Sequence, residues 1–338
     1  MIRRPPRSTQ SRSSAASDVY KRQVDPLSLD AGELVMGSSV LYGSDAIGGT
    51  FNAFPIAPSF PSEIPFYASK LYYRYSSAEN SNIGRIQAAL TPVQNIGMVG
   101  GISLKNFDDL EGGKEVGKQP HTGYEETDYD FRVDYHISQD SILTFCLQNV
   151  EQDDVWRTHK TIYGIKWKGL SAGDDKIHAY DQHRNLAYLK YKTSIADSFI
   201  DELEMSVSRH LQQEDLYRKK KDDKIEQQGF DVVTWGGSIK LNSDSSMGKL
   251  TYGVDCYRDN VDSYLDKYSA SGLLEKKEIQ GPVADDATYD SIGVYAEDTI
   301  TIKDGLLDIV PGLRYDYSRV NAETVSYTHL TLPTIYSV

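Results

Sequence analysis

Six residues between positions 156 and 178 gather aromatic rings, imidazoles and a guanidinium in one polar stretch: Trp156, Arg157, His159, Tyr163, Trp167 and His178. Aromatic faces stack on flat conjugated ligands, and imidazole nitrogens ligate metals. Such a set can grip a ligand from a loop. The competing reading is an interfacial belt of rings followed by a solvated loop. His121, His159, His178 and His183 lack the HxxxH-type spacing of a preformed zinc site. Asp108, Asp109 and Glu111 beside Gly112 and Gly113 resemble a calcium loop in composition but not in EF-hand spacing. No nucleophile–base pair or Gly-x-Ser-x-Gly elbow occurs. The sequence therefore assigns no catalytic residue, no metal ligand and no cofactor. Cys146 and Cys256 share no motif and read as small apolar strand residues.

The elements that carry these residues are read from period-two alternation. Tyr129, Phe131, Val133, Tyr135 and Ile137 alternate with Asp130, Arg132, Asp134 and His136, which puts rings on one face and charges on the other. Leu143, Phe145, Leu147 and Leu250, Tyr252, Val254, Cys256 repeat the pattern. Eleven strands are expected, at 66–77, 82–91, 96–107, 122–137, 140–156, 181–194, 198–213, 229–241, 248–262, 288–303 and 306–320. Their links alternate between short and long. The long ones are 108–121, 157–180, 214–228 and 263–287. A soluble sandwich has no reason to collect its long loops at one end, whereas an outer-membrane barrel does. The strands also exceed the five or six residues usual in soluble sheets and suit a tilted crossing of about 9–11 residues.

Composition agrees. The 338 residues include 24 Tyr against 9 Phe and 3 Trp, and the formal net charge is −13. Tyrosine has an apolar ring and a wet tip, so it suits a wall between lipid and water. The acidic balance argues against nucleic acid as a partner. No apolar run approaches 18 residues, which excludes a transmembrane helix. The basic run Arg218, Lys219, Lys220, Lys221, Lys224, answered by Asp222, Asp223 and Glu226, is expected in a long loop. It reads as a solvated face, with contact to lipopolysaccharide phosphate or an anionic chelate as the alternative.

Both ends differ from the body. Residues 1–23 hold six basic residues, one acid and no hydrophobic period, so the rest carries a charge near −18. Residues 1–23 and 325–338 resemble translated sequencing-adapter read-through and are expected to be non-native. The natural chain is expected to continue beyond both.

Ahead of the strands lies Ser38-Ser39-Val40-Leu41-Tyr42-Gly43-Ser44-Asp45-Ala46-Ile47-Gly48-Gly49. Gly43, Gly48 and Gly49 permit positive φ, Ser44 and Asp45 favour turns, and Leu41 and Ile47 would anchor the turn in an apolar core. A phosphate loop is the other reading, but no Gly-Lys-Ser/Thr follows. This core resembles the end of the plug domain of TonB-dependent outer-membrane receptors. Val35-Met36-Gly37 stands where that family shows Arg-Gly-Pro. The resemblance implies an all-β fold: a partial transmembrane antiparallel β-barrel, about 11 of 22 strands, preceded by the C-terminal end of a plug. It divides the chain into a plug end at 24–53, a Pro-rich linker at 54–65 and the N-terminal half of the barrel at 66–324. Leu41, Tyr42, Gly43, Ser44, Asp45, Gly48 and Gly49 then shape the plug and carry no chemistry.

What the resemblance implies functionally is TonB-dependent uptake of a scarce ligand across the bacterial outer membrane, without enzymatic activity. The stretch from Trp156 to Tyr180 is similar to part of the receptors for haem, haemoglobin and transferrin. Its partners would be outer-membrane lipid, TonB through a plug segment outside this sequence, and an iron chelate, haem or haem protein as ligand. A signal peptide would lie upstream of the fragment. A passive channel or barrel enzyme is one competing reading. A soluble all-β enzyme or adhesin is the other.

Overall fold

The computed structural model describes residues 24–36, 39–43, 49–114, 116–166, 171–196, 198–244, 248–280, 284–303 and 307–322. A hairpin comes first, β1 (Leu29–Met36) with β2 (Gly49–Pro55), paired in antiparallel register from Leu29↔Pro55 to Met36↔Gly49. The wall follows: β3 (Phe66–Ser76), β4 (Ser81–Val93), β5 (Ile96–Phe107), β6 (Tyr124–His136), β7 (Ser141–Trp156), β8 (Ile177–Ser194), β9 (Glu202–Lys219), β10 (Ile225–Asp244) and β11 (Gly248–Tyr268). It ends with β12 (Leu274–Glu278), β13 (Ala287–Lys303), β14 (Leu307–Ile309) and β15 (Gly312–Asn321).

Each wall strand pairs antiparallel with its neighbour in sequence, from β3 to β11, and β11 then pairs with β13. β12 extends the β11 hairpin, and β14 and β15 pair in succession with β13. Eleven crossings result, as the alternation predicts, in an open partial barrel with β3 at one edge. The wall is turned inside out relative to a soluble sheet. Along β6, Glu126, Asp128 and Asp134 are buried, while Tyr129, Phe131 and Tyr135 are exposed. The register carries both faces sideways. Val133, Phe145, Leu189 and Val207 form one outward row across β6 to β9. An apolar outer face and a charged inner face are what a membrane barrel needs, since lipid lies outside and polar contents lie inside.

The structure corrects three links. β9 and β10 run on to Lys219 and from Ile225, so the expected loop at 214–228 is a tight turn, with Arg218 and Lys219 on the strand and Lys220, Lys221 and Lys224 in the turn. β11 continues to Tyr268 and β8 starts at Ile177, shortening the links at 263–287 and 157–180. The reason is common to all three. Strand beyond the hydrocarbon layer meets water on its outer face, so its sequence loses the apolar alternation that marks the rest.

Residues 55–60 lie against the inner face. Thr91 Oγ1 donates to the Ser59 carbonyl at 2.6 Å, and Arg132 Nη1 donates to the Pro55 carbonyl at 3.1 Å. Phe60 meets His136 edge-on, ring centroids 4.5 Å apart. Gly97 makes this approach possible: a Cβ there would lie 2.8 Å from both Phe60 and Pro58.

Candidate functional site

At the long-loop end, β7 delivers Trp156 and the following 3-10 turn Thr158–Lys160 leads to Tyr163. Trp156 stacks on His121, with centroids 4.3 Å apart and planes 15° apart. Tyr163 leans on the same imidazole at 4.6 Å. His121 adopts a φ of 60°, unusual for a non-glycine residue, and its carbonyl accepts from Thr158 Oγ1 at 2.6 Å. That bond ties the link after β5 to the link after β7. Trp156 is aimed by its indole Nε1, which donates to Asp154 Oδ1 at 2.7 Å.

Arg157 and His178 form a second group around Tyr180. The Arg157 guanidinium lies 5.3 Å from the Tyr180 ring centre. His178 is buried, with Nδ1 2.9 Å from Asp175 and Nε2 3.3 Å from the Tyr180 hydroxyl. With both nitrogens engaged, it has no lone pair to offer a metal. Asp175 also accepts from Arg218 Nε at 2.9 Å. Burial opposes its ionisation, but the hydrogen bonds from Arg218 and His178 prevail and hold its pKa below the ordinary value. A cavity of about 410 Å³ lies beside this group, lined by Asp174, Asp175, Arg218, Lys220, Lys221 and Asp222.

His159 stands apart, exposed on the 3-10 turn. Burial of part of its ring, then the charges of Lys160 and Arg157, push its pKa below the usual imidazole range. Trp167 lies outside the described residues. The five described candidates thus divide: Trp156 and Tyr163 meet through His121, Arg157 and His178 meet through Tyr180, and His159 joins neither. Among the described residues, no group of three or more His, Cys, Asp or Glu side chains is disposed to hold a metal ion.

The second functional region is the plug-like segment. Val40–Tyr42 forms a 3-10 turn capped by the Ser39 hydroxyl, and Gly43 follows with a φ of 98°. Gly49 has a φ of 136°, and a Cβ there would lie 2.6 Å from the Val35 carbonyl oxygen. Leu41 and Tyr42 are half-buried. Ser44, Asp45, Ile47 and Gly48 lie outside the described residues. Two charge clusters fasten the segment. At β15, Arg314 chelates Asp255 with two 2.9 Å bonds, and its Nη1 also donates to the Val40 carbonyl at 3.2 Å. At β4 to β6, Asp25 accepts from Ser103 Oγ at 2.6 Å and lies 3.0 Å from Lys105 and 3.4 Å from Arg85. Glu126 and Asp128 complete the shell of Lys105, and Asp130 that of Arg85.

Sequence reasoning gave His121 no place in the stack and passed over Asp25, Arg85, Lys105, Asp255 and Arg314. A signal existed for the cations: each stands at an inward position of an alternating strand, where a lone charge needs a partner. Nothing local announces which partner.

A family model described as TonB dependent receptor-like, beta-barrel matches residues 63–335. A copper transporter, OprC, superposes with a TM-score of 0.71 at 16% identity over 88% of this chain and 45% of that one. The FrpB iron transporter of Neisseria meningitidis gives 0.66 at 14% identity, over 88% and 48%. The Serratia marcescens hemophore receptor HasR, solved with its hemophore and heme, gives 0.65 at 18% identity, over 87% and 40%. At these identities the likeness is one of fold. The chain spans less than half the length of each. No curated protein sequence matches.

Proposed function

The chain belongs to the TonB-dependent receptor family by its β-barrel, and from that premise we propose that it supplies the first half of the barrel, with the end of the plug, of an active importer in the bacterial outer membrane. The cargo is a scarce ligand, an iron chelate or haem. Ligand meets the long-loop end at the Trp156–His121–Tyr163 stack. TonB acts on a plug segment outside this sequence and draws the plug from its seat. No covalent chemistry is involved.

One observation supports this reading above the others. The described part of the segment ahead of β3 meets the charged face of the wall through Asp25, Val40 and residues 55–60. A passive channel has no use for an ion-paired segment across its lumen. A soluble sandwich would not turn Ile86, Ile102, Leu104, Leu313 and Tyr315 outward. Haem and aromatic iron chelates fit the flat, aromatic character of the stack, and proteins of like fold include the FrpB iron transporter and the HasR receptor solved with its hemophore and heme.

The test is uptake by cells carrying the complete receptor, with radioactive ferric citrate and haemin as separate probes. Uptake that stops when TonB is deleted or the proton-motive force is collapsed supports the proposal. Uptake that persists under both treatments makes the protein a passive channel.

A further inference from the structure

We propose that the outward face of β9 to β11 holds a phosphorylated membrane lipid, with its phosphate on Arg209 and Arg258 and an acyl chain in the groove beside them. This rests on the reading of the chain as part of an outer-membrane barrel, and it adds a site that the cargo does not use. Register places Arg209, Trp235 and Arg258 side by side, each directly opposite the next, and Asp290 and Arg319 continue the row on β13 and β15. Period two puts this row on the same face as Val207, which is 59% exposed, and Trp235 itself is 55% exposed. Arg258 is exposed as well, and Asp290 steadies it: Nε and Nη2 donate to the carboxylate at 2.6 and 3.0 Å.

Position along the strands identifies the partner. On the short-turn side of the row, the next outward positions are Val207, Gly237, Cys256 and Ile292, then Met205, Ile239, Val254 and Val294. Apart from Gly237 they are apolar. On the long-loop side, past Leu211, Val233 and Asn260, come Gln213, Asp231 and Asp262. The arginines therefore stand where hydrocarbon gives way to water, in the leaflet that faces the long loops. A lipid carries its phosphate at that depth, and Trp is a ring that settles there. Asp231 and Asp262 lie four residues farther on, about 13 Å along the strand and beyond a Debye length, so they do not repel a phosphate held at the row.

Beside the row, on its apolar side, a cavity of about 380 Å³ opens on the outer face, with Leu189, Val207, Gly237, Ile239, Val254 and Cys256 in its lining. Gly237 makes this groove, because no side chain rises between Val207 and Cys256. The wall itself does not demand glycine there. Gly237 has no positive φ, and a Cβ would meet only Cys256 Sγ at 3.3 Å and the Ser206 carbonyl oxygen at 4.0 Å. Head and tail of one amphiphile are thus matched: guanidinium forks present paired N–H donors to phosphate oxygens, and the groove accepts a chain. Arg209 and Arg258 are two strand spacings apart, about 9–10 Å, which lets two long side chains converge on one phosphate. From β3 to β8 the same row reads Ser69, Ala88, Gly100, Phe131, Leu147 and Ala187, without a charge, so its cations are gathered beside the groove. In a bacterial outer membrane the phosphorylated lipid of that leaflet is lipopolysaccharide.

The experiment titrates the complete receptor in detergent with lipopolysaccharide and counts bound lipid by native mass spectrometry. Wild type should retain the lipid. The double variant Arg209→Gln/Arg258→Gln should bind it about tenfold or more weakly. Gly237→Leu, which fills the groove and keeps both arginines, should also weaken binding. Lipopolysaccharide stripped of its phosphates should bind wild type as weakly as intact lipid binds the double variant. Should the double variant not assemble, Arg209→Lys/Arg258→Lys must show the loss in smaller degree. Binding unchanged in the arginine variants and in Gly237→Leu overturns the proposal. So does a loss seen in Lys220→Gln/Lys221→Gln instead, which would move the phosphate to the turn after β9. Full displacement by inorganic phosphate, with Gly237→Leu binding as wild type does, would make the row an ion site and overturn the lipid. Energy dependence of uptake is measured separately in cells, so a passive receptor would end the uptake proposal and leave lipid retention to judge this site.

Discussion

Asp25 Oδ1 lies 3.0 Å from Lys105 Nζ, joining the segment ahead of β1 to the inner face of β5. Both side chains are buried, and the joint is not a balanced pair. Among the described residues, the cations facing Asp25, Glu126, Asp128 and Asp130 are Lys105 and Arg85. Negative charge is in surplus, so the two halves of the pair are unequal in importance.

Lys105→Met should therefore cost more than Asp25→Asn. Removing Lys105 strands three buried carboxylates, a loss of about 3–5 kcal/mol on the scale of broken buried pairs. Removing the Asp25 charge relieves part of the surplus and forfeits hydrogen bonds, about 1–3 kcal/mol. Urea unfolding of the complete receptor checks the order, and equal losses would contradict the charge count.

Arg314→Gln should loosen the turn at Val40 without affecting the Asp25 end. It removes the two-pronged grip on Asp255 and the bond to the Val40 carbonyl. Hydrogen exchange in residues 39–43 should speed up, while exchange in residues 24–28 stays as in wild type. Equal acceleration at both ends would mean that the segment comes away as one unit.

Ligand affinity should fall about tenfold, roughly 1.4 kcal/mol, in Trp156→Ala and in Tyr163→Ala, and little in His159→Gln. Quenching of intrinsic fluorescence by haemin in the complete receptor, with Trp156→Phe as a stacking-competent control, gives the measurement. A larger effect of His159→Gln than of Trp156→Ala would move the site from the stack to the exposed turn.

Acid should loosen the long-loop end in two steps. His159 has a lowered pKa, so the unfolded loop binds a proton first, and stability falls as pH drops below about 6.5. Asp175 is also lowered, so its contribution is present above about 3.8 and is lost as pH falls through its folded value. Hydrogen exchange of residues 157–178 against pH reads both steps. His159→Gln should weaken the upper one and leave the lower one unchanged.

The isolated chain should not form a heat-modifiable barrel in detergent. Among the described residues β3 has no strand partner beyond β4, and each unpaired backbone group in lipid costs on the order of several kcal/mol. Migration that differs between heated and unheated samples would show that the edges are satisfied in some other way.

Amino-acid order by itself determined the wall. Period-two alternation across Tyr129 to Ile137 and its repeats put rings outward and charges inward, because a strand's side chains alternate whatever surrounds it. The same reading failed where strands rise out of the membrane: at Arg218 to Glu226 both faces meet polar surroundings, and a hairpin of charged residues looks like a loop. Tertiary structure alone decided which charges meet. Arg314 reaches Val40 across 274 positions, and Arg85 reaches Asp25 across 60. It also decided that His121 stacks on Trp156 while His159 stands aside, although His159 is far nearer in sequence. Pairing across a barrel lumen depends on register and on how the chain folds back inside the wall, and local propensity records neither.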